Sequence, residues 1–435
     1  MATGAVEEVG AAVGGPGAVD AATRRMTLET LYLAIFVASC PVGIFLFFLP
    51  LYSREVLGAT ATEIGGLFAV FALVPVLARP LIGRATDRWG RRPFILAGLG
   101  VFVAAWALYA LSARVAILFA ARVIEGTAAA LLLIAAYATL ADLVPAAGRG
   151  EAVGRLQSMI NLGAFLGGGV GFPLLYAAQR LGWGVAVGWR LAFGFYMAAT
   201  VAMLLVAHRR VGDVPRELRV RASSAAAPAA GAGSLRALLP LMLISFGTAT
   251  ANGVTQPVLT LYLEDRFNEG LPALLAVFTP AAVVYGLAPA PLGRLSDRLG
   301  RRRLMATGLA AAGLVAGLFP SLPNILLLGL IWTVEAACIS AAVPAEGALV
   351  ADLTGGDRRG RAYGFYSFAV GAGATVGPLL GGWFYDHLGR PAPFYLNAVL
   401  LPLSATLVLL LPLRNAEPSE MRPRTAAADS NSRGA

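Results

Sequence analysis

Long apolar segments alternate with short polar ones along almost the whole chain. An α-helix needs about 20 apolar residues to cross a bilayer, and on this basis the pattern predicts twelve membrane-spanning helices. Their predicted limits are 28–52, 61–82, 93–112, 114–143, 153–178, 190–207, 237–262, 271–291, 304–321, 323–350, 362–385 and 393–413. Six fall in each half of the sequence, so we expect an all-α membrane protein made of two six-helix bundles.

The two halves also share a polar pattern. The segment GRATDRWGRR at 83–92 returns as GRLSDRLGRR at 293–302, an offset of 210 residues from 83 to 293. The same offset relates Glu125 to Glu335 and Asp142 to Asp352. A repeat of this length indicates two copies of one structural unit, with the working site between them. The two bundles are therefore predicted to be pseudo-symmetric.

The pattern divides the chain into five parts. Two helical bundles, 26–207 and 237–413, are joined by a polar linker at 208–236 that we expect to be cytoplasmic and mobile. The flanking segments 1–25 and 414–435 are expected to be disordered and cytoplasmic.

Composition and charge agree with a membrane location. The chain is 58% hydrophobic and 13% charged, with a mean hydropathy of +0.73, which is too apolar for a soluble protein of this length. Apart from two His, every basic residue is Arg, and most of the Arg lie in loops on one predicted side. The positive-inside rule then places both termini in the cytoplasm. We expect a monomeric, multi-pass plasma-membrane protein of a bacterial inner membrane that contacts anionic lipid and binds no nucleic acid.

The repeated segment resembles motif A of the major facilitator superfamily. Residues 122–126, RVIEG, are similar to motif B, and residues 373–382, GATVGPLLGG, are similar to motif C. The resemblance covers all twelve predicted spans and is strongest to the twelve-helix drug:proton antiporter branch. It implies the facilitator fold, alternating access, and transport driven by an ion gradient, namely H⁺, without a bound cofactor.

The resemblance implies a cytoplasmic gate at motif A. Its residues are Gly83, Asp87, Arg88, Gly90 and Arg91 in the first copy and Asp297, Arg298, Gly300 and Arg301 in the second. In the family arrangement Asp87 meets the start of span 11, near Arg361 and Ala362, when the cytoplasmic side is closed; a helix N-terminus stabilises a carboxylate. For the Arg side chains, anchoring of the loops to anionic lipid is an equal alternative.

Two glycine runs predict close helix contacts. Gly163 and Gly167 lie in span 5, and Gly373, Gly377 and Pro378 lie in span 11. Glycine lets helix backbones approach, and we favour packing over a role in setting the direction of transport. In the family, motif C belongs to span 5 of exporters, whereas here span 5 lacks a proline at the position that matches Pro378.

Three carboxylates lie inside predicted spans, where an ionisable side chain is costly and tends to face a cavity. Arg122 precedes Glu125 by three residues, on the same helix face, so this pair can neutralise itself. The position that matches Arg122 in the second copy is Trp332, so Glu335 has no built-in cation. We predict that Glu335 gains and loses a proton, with Glu125 and Arg122 as further coupling residues.

Two alternatives apply to these acids. Glu335 could instead be a structural carboxyl that is hydrogen-bonded to a neighbouring helix. Glu346 lies nearer the cytoplasmic end of its span, and we expect it to be a solvated or gating residue.

The residues expected to line the substrate cavity are Trp332, Asn252, Thr255, Gln256, Tyr137 and Tyr285. An indole beside a carboxylate suits a lipophilic cation as well as a proton. The polar run in span 7 could equally form hydrogen bonds around a kink at Pro257.

Signatures of catalysis are missing from the sequence. The chain has no Lys, which excludes an ATP-binding P-loop. Its two His and two Cys are far apart and suggest neither a metal site nor a disulfide framework. We expect a transporter and not an enzyme: a proton-coupled exporter of small amphipathic or drug-like molecules. The alternatives are a proton symporter that imports a sugar, an organic acid or another nutrient, a receptor-like protein that no longer transports, and a lipid-moving protein.

Overall fold

The computed structural model describes residues 21–145, 148–213, 235–288, 291–292, 295, 298–353 and 359–410, which are almost entirely helical. The first helix begins at Ala21, so the prediction of a disordered segment up to residue 25 is wrong for its last five residues. The rest of that segment, residues 214–234 of the predicted linker and the predicted tail lie outside the described residues.

The described residues of the N-terminal half form seven helices. They are α1 (Ala21–Ser39), α2 (Val42–Glu55), α3 (Ala61–Trp89), α4 (Arg92–Ala110), α5 (Val115–Leu143), α6 (Arg149–Arg180) and α7 (Val185–Arg210).

Six longer α-helices lie in the described part of the C-terminal half. They are α8 (Leu235–Phe267), α9 (Gly270–Leu287), α10 (Arg301–Leu318), α11 (Ile325–Leu353), α12 (Arg359–His387) and α13 (Ala392–Leu410), with a short 3₁₀ turn at Phe319–Ser321.

Nine stretches of the described residues are long and apolar enough to cross a membrane. The first of these, Ala22–Glu55, combines α1 and α2. The remaining predicted spans, numbers 7, 8 and 11, coincide with α8, α9 and α12. The helical membrane architecture is thus confirmed, whereas the count of twelve crossings stays a prediction.

The first crossing is broken in its middle. α1 ends at Ser39, and α2 begins after Pro41. Proline lacks a backbone N–H and its ring clashes with the preceding turn, so it can interrupt a helix. The glycine face of α6 packs against this break. A Cβ on Gly167 would overlap the main chain of Cys40, and a Cβ on Gly163 would overlap the carbonyl oxygen of Phe36.

The same contacts recur in the C-terminal half at the offset of the sequence repeat. Gly373 lies against the Phe246 carbonyl and Gly377 against the Thr250 carbonyl. These are the positions 210 residues beyond Gly163, Phe36, Gly167 and Cys40. The glycine runs therefore pack α6 on the first crossing and α12 on α8, which agrees with the packing interpretation.

The halves meet through part of their length. α12 packs against both α8 of its own half and α3 of the other half, and α2 packs against α8. In contrast, α1 packs mainly against α4, α5, α6 and α7 of its own half. The bundle has two ends. The end that contains the C-terminus of α3 is called the motif A end, and the end that contains the N-terminus of α3 is called the opposite end. The first crossing thus contacts the C-terminal half through its segment nearer the opposite end.

Candidate functional site

Glu335 lies in the interior of the C-terminal half. It is 6% exposed, and its Oε1 accepts a hydrogen bond of 3.4 Å from Asn397 Nδ2 on α13. Tyr285 on α9 and Cys338, one turn further along α11, are close enough to interact with its charge. Among the described side chains no Arg or His forms an ion pair with it. The described neighbours of this acid are therefore neutral groups.

Aromatic rings connect this site to the N-terminal half. Trp332, one turn before Glu335, packs edge-on against Phe278 of α9 with centroids 4.9 Å apart. Phe278 in turn lies 4.0 Å from the ring of Phe47 on α2. An apolar, polarisable surface thus crosses the seam between the halves within reach of the carboxyl group.

The other predicted cavity residues are less clearly gathered at this place. Asn252 and Thr255 on α8 are half-buried, and Gln256 is exposed. Tyr137 on α5 is also exposed, as is Tyr285 despite its position beside Glu335. Of the predicted cavity set, the structure brings Trp332 and Tyr285 to Glu335.

Two cavities in the described part of the chain lie near the opposite end and are not lined by Glu335. One, of about 100 Å³, lies between the halves and contains a carboxylate from each of them. Its lining includes Phe48, Glu55, Gln179, Glu264 and Leu274. The other, of about 340 Å³, is a groove beside Arg54 and Asp386.

Glu125 occupies the matching position in the N-terminal half but has charged and polar partners. Its Oε2 accepts hydrogen bonds from Arg122 Nη1 at 2.8 Å and from the Tyr109 hydroxyl at 2.6 Å. The Arg122 guanidinium also lies 4.3 Å from the ring centroid of Phe45. Arg122, Glu125 and Tyr109 are all buried inside the half. The charges of Arg122 and Glu125 therefore neutralise each other without a partner from the other half.

Motif A is organised around a buried arginine. Arg91 is 5% exposed and joins Asp87 Oδ1 at 2.8 Å and Asp142 Oδ2 at 2.9 Å, and it donates to the Thr86 carbonyl at 2.6 Å. It therefore ties the end of α3 to the end of α5. Asp87 itself is 63% exposed, whereas Arg91 is a buried connector and not a loop anchor to lipid.

The backbone conformation explains why two positions of motif A are glycine. Gly90 and Gly300 end or precede helices with φ of +99° and +92°, values that side-chain-bearing residues rarely adopt. Arg88 and Arg298 are exposed, and Gly83 is half-buried. Arg301 is half-buried, and Asp297 lies outside the described residues. The side chains of Arg361 and Ala362, the expected partners of Asp87, are also outside them.

The exposure of Glu346 differs from what the sequence predicts. This residue is 5% exposed, so the expectation of a solvated residue is wrong. The reason is that this part of α11 packs in a buried cluster with α8: Ala345 and Leu349, on either side of Glu346, belong to the same cluster as Leu241 and Ile244. Depth along a helix could not reveal this packing.

A network across the halves holds the opposite end together. Asp386, at the end of α12, accepts hydrogen bonds from the first turn of α3: from Thr62 N and Oγ1 at 2.7 Å each and from Ala61 N at 3.2 Å. Asp265 on α8 lies 3.5 Å from Arg54 of α2 and 3.4 Å from Arg390. The opposite end is therefore closed in this structure.

Sequence reasoning missed several of these residues. Asp386, Asp265, Asn397, Arg54 and Arg390 are not among the site residues that the sequence predicts. A signal was available for Asn397, because an amide inside a predicted span is as unusual as the acids that were selected. For Asp386 the signal is weaker, since two of its three donors are backbone amides and all three lie more than 300 residues away.

Comparison with known proteins agrees with the motifs. Residues 31–276 and 241–432 match the sequence profile of the Major Facilitator Superfamily. Multidrug resistance protein 1 of Bacillus subtilis (strain 168) is 24% identical over 387 residues, which cover 89% of this chain and 96% of that protein. Tetracycline resistance protein, class E, of Escherichia coli is 28% identical over 377 residues, covering 83% and 88%. Quinolone resistance protein NorA of Staphylococcus aureus is 29% identical over 151 residues, 35% of this chain.

The fold also has a counterpart among solved structures. The crystal structure of the human organic anion transporter MFSD10 (TETRAN) superposes with a TM-score of 0.62 at 19% identity, covering 88% of this chain and 99% of that one. At this identity the likeness concerns the fold alone. The sequence profile, which spans well over half of the chain, and the repeated helix contacts lead to one conclusion: the chain belongs to the major facilitator superfamily.

Proposed function

We propose that this transporter exports small amphipathic or drug-like molecules in exchange for protons. The observation that carries the proposal is the position of Glu335, a buried acid that no described cation neutralises, one helical turn from an indole at the seam between the halves. Relatives named for resistance to several drugs, to tetracycline and to quinolones support a role in efflux.

The chemistry of exchange follows from these neighbours. A buried carboxyl group is more stable neutral than charged unless a cation lies beside it. Glu335 can therefore hold either a proton or a lipophilic cation whose apolar part lies on Trp332 and Phe278. Because one carboxylate satisfies one partner at a time, binding of a proton from outside releases the substrate.

The geometry of the two ends supports alternating access. We propose that the motif A end faces the cytoplasm, with both termini there, in a bacterial inner membrane. The structure then has its outer side closed by Asp386 and Asp265. In the other state Asp87, which is exposed here, would meet the N-terminus of α12. We further propose a monomer that uses the proton gradient and no bound cofactor.

The proposal is tested by dye transport. Everted membrane vesicles with an acidic interior are given a lipophilic cationic dye, and uptake is compared among wild type, Glu335→Gln and Glu269→Gln. Glu269 is an exposed loop residue and serves as the matched control. We expect gradient-driven uptake by wild type and Glu269→Gln and none by Glu335→Gln, with the variant still folded.

Two results would contradict the proposal. Unchanged gradient-driven uptake by Glu335→Gln would remove this residue from coupling. No uptake by wild-type vesicles would count against export of cationic dyes and would favour a nutrient symporter or another export substrate.

A further inference from the structure

The side-chain amide of Asn397 has one polar neighbour in the described part of the chain. Asn397 lies on α13 and is 1% exposed. Its Nδ2 donates to Glu335 Oε1 at 3.4 Å, whereas its Oδ1 is buried without a hydrogen-bond partner among the described residues. A buried polar atom without a partner is unusual in a folded protein and costs free energy. The hydrogen bonding of this amide is therefore only half complete.

The internal repeat shows that this amide is not part of the shared scaffold. The position that matches Asn397 in the N-terminal half is Val187. There the equivalent acid, Glu125, accepts a hydrogen bond from Tyr109 of α4, and the residue that matches Tyr109 is Phe319. The two halves therefore supply a donor to equivalent acids from different helices, α4 in one and α13 in the other. Helix packing alone does not require an amide on α13.

No described group on the far side of the amide fixes its orientation. The oxygen and the nitrogen of a side-chain amide exchange places when the group rotates by half a turn. A carboxylate only accepts hydrogen bonds and so requires Nδ2, whereas a protonated carboxyl group carries an O–H donor, for which Oδ1 is the acceptor. Because Oδ1 has no described partner of its own, the protonation state of Glu335 determines which atom of the amide faces it.

The other titratable groups near Glu335 are neutral side chains. In the described part of the chain they are Tyr285 of α9 and Cys338 of α11 itself. The acidic and basic residues of α8, α10 and α12 lie in the first or last turns of those helices. The titratable residue of α13 is Tyr395, which is exposed. The amide of Asn397 is therefore the described group that hydrogen-bonds to the acid.

The contact between Asn397 and Glu335 joins α11 to α13. α13 packs mainly against α8 and α10, and α8 contacts α2 of the other half. A change in this hydrogen bond therefore alters how α11 is held to the helices that lead to the seam between the halves.

From this arrangement, and resting on the proposed proton coupling, we propose that Asn397 is a positioning residue that hydrogen-bonds to Glu335 in both of its protonation states. The amide donates from Nδ2 while Glu335 is charged, and it rotates and accepts at Oδ1 while Glu335 carries the proton. The proton binds a carboxyl oxygen of Glu335, and no other covalent bond changes. Neither state then leaves the carboxyl group buried without a partner.

Infrared spectroscopy tests the rotation of the amide without any substrate. In purified full-length protein, asparagine is labelled with a heavy carbon isotope in its side-chain carbonyl, which separates its C=O stretch from other bands. We expect acidification of wild type to produce the C=O stretch of protonated Glu335 and, over the same pH range, a shift of the labelled amide band. Both changes should be absent from Glu335→Gln, and the amide shift should be absent from Asn397→Val.

Two spectra would overturn the proposal. One is a labelled amide band that does not change when wild type is acidified, as expected of an amide with a structural role only. The other is a labelled band that shifts equally in wild type and in Glu335→Gln. Both comparisons use proteins that retain Asn397, so they do not depend on the folding of Asn397→Val.

Transport in proteoliposomes tests the consequence for exchange. We expect Asn397→Val to slow dye-dependent proton movement about tenfold, the loss expected when a hydrogen bond to a charged group is removed. Asn397→Gln keeps a donor and an acceptor and should retain more of the rate. Ser404→Ala is the matched control, because Ser404 is buried two turns further along the same face of α13 and donates to the Leu400 carbonyl of its own helix.

Equal losses in Asn397→Val and Ser404→Ala would show that Asn397 has a structural role only. If wild type itself moves no protons with dye, the proposed function fails, whereas the labelled amide band still shows whether Asn397 follows the protonation of Glu335.

Discussion

Two acids at equivalent positions of the repeat have opposite electrostatic surroundings. Glu125 is paired with Arg122 and hydrogen-bonded to Tyr109, whereas Glu335 has an amide and no cation among the described residues. A compensated ion pair inside a bundle has little reason to exchange protons during a cycle. Within the proposed function, this difference supports Glu335 as the coupling residue and a stabilising role for the Arg122–Glu125 pair.

Substitutions at this pair should separate a lost hydrogen bond from a stranded charge. Tyr109→Phe removes one hydrogen bond and should lower the free energy of unfolding by about 1 kcal/mol. Glu125→Gln leaves the Arg122 guanidinium buried without its counter-charge and should cost about 3–5 kcal/mol. Denaturant unfolding in detergent measures both. If Glu125→Gln proved no more harmful than Tyr109→Phe, the pair would not be the buried ion pair described here.

The sequence predicted part of the site at this scale. Glu335 is predicted because an acid inside an apolar span is unusual, Trp332 because it occupies the position that matches Arg122, and Tyr285 only as one of several aromatic candidates. The burial of Glu346 is not predicted from the sequence, because it depends on the packing of α8 against α11 and not on the position of Glu346 along α11. Phe47 and Phe278 were missed because aromatic residues are common in spans, and their contact across the halves has no local signature.

At the scale of helices, glycine sets how closely neighbours approach. Gly167 faces the main chain of Cys40, whereas Gly169, two residues on, has open space beside it. Two glycines of one run thus have different surroundings: Gly167 lies at a helix contact, and Gly169 lies outside it.

This difference gives a matched pair of substitutions. Gly167→Ala places a methyl group against the Cys40 main chain and should destabilise the protein by about 1–3 kcal/mol, as overpacking of a tight contact does. Gly169→Ala meets no clash and should leave stability unchanged or raise it by up to about 1 kcal/mol, because alanine is the better helix former. Thermal unfolding in the same detergent compares them. Equal effects would mean that the glycines of α6 are not there for close contact.

The helices were predictable in position but not in continuity. Apolar length located every described crossing, because burial in lipid requires it. Proline positions did not predict the break: α2 contains Pro50, α3 contains Pro75 and Pro80, and both continue, whereas the chain breaks at Pro41. Whether a proline interrupts a helix depends on neighbours that accept the bend, here the glycine face of α6.

At the scale of the whole molecule, the structure shows one end joined across the halves. The contact at that end uses the N-terminus of α3 as the partner of Asp386, and α3 reaches motif A at its other terminus. One helix thus has a cross-half carboxylate at its start and Asp87 near its end. This arrangement suits a switch in which the two contacts alternate.

Loss of the Asp386 contact should open this end. Asp386→Ala removes a helix-capping acceptor worth about 1 kcal/mol, which corresponds to a shift of about fivefold in the equilibrium between closed and open forms. Asp386→Asn keeps one of the two acceptor oxygens and loses the charge, so it should lie between wild type and Asp386→Ala. Spin labels on Val56→Cys and Leu388→Cys, with Cys40 and Cys338 replaced by Ser, report the distance. A distribution that is the same in all three proteins would show that Asp386 does not hold this end closed.

The partners of Asp386 also have a genetic consequence. Two of its three donors are main-chain amides, which every residue but proline possesses. A strain weakened by Asp386→Ala cannot be rescued by a charge exchange at residues 61 or 62, as it could if the partner were an arginine. Revertants should instead carry changes that loosen the motif A end, so that the map of suppressor mutations would trace the balance between the two ends of the protein.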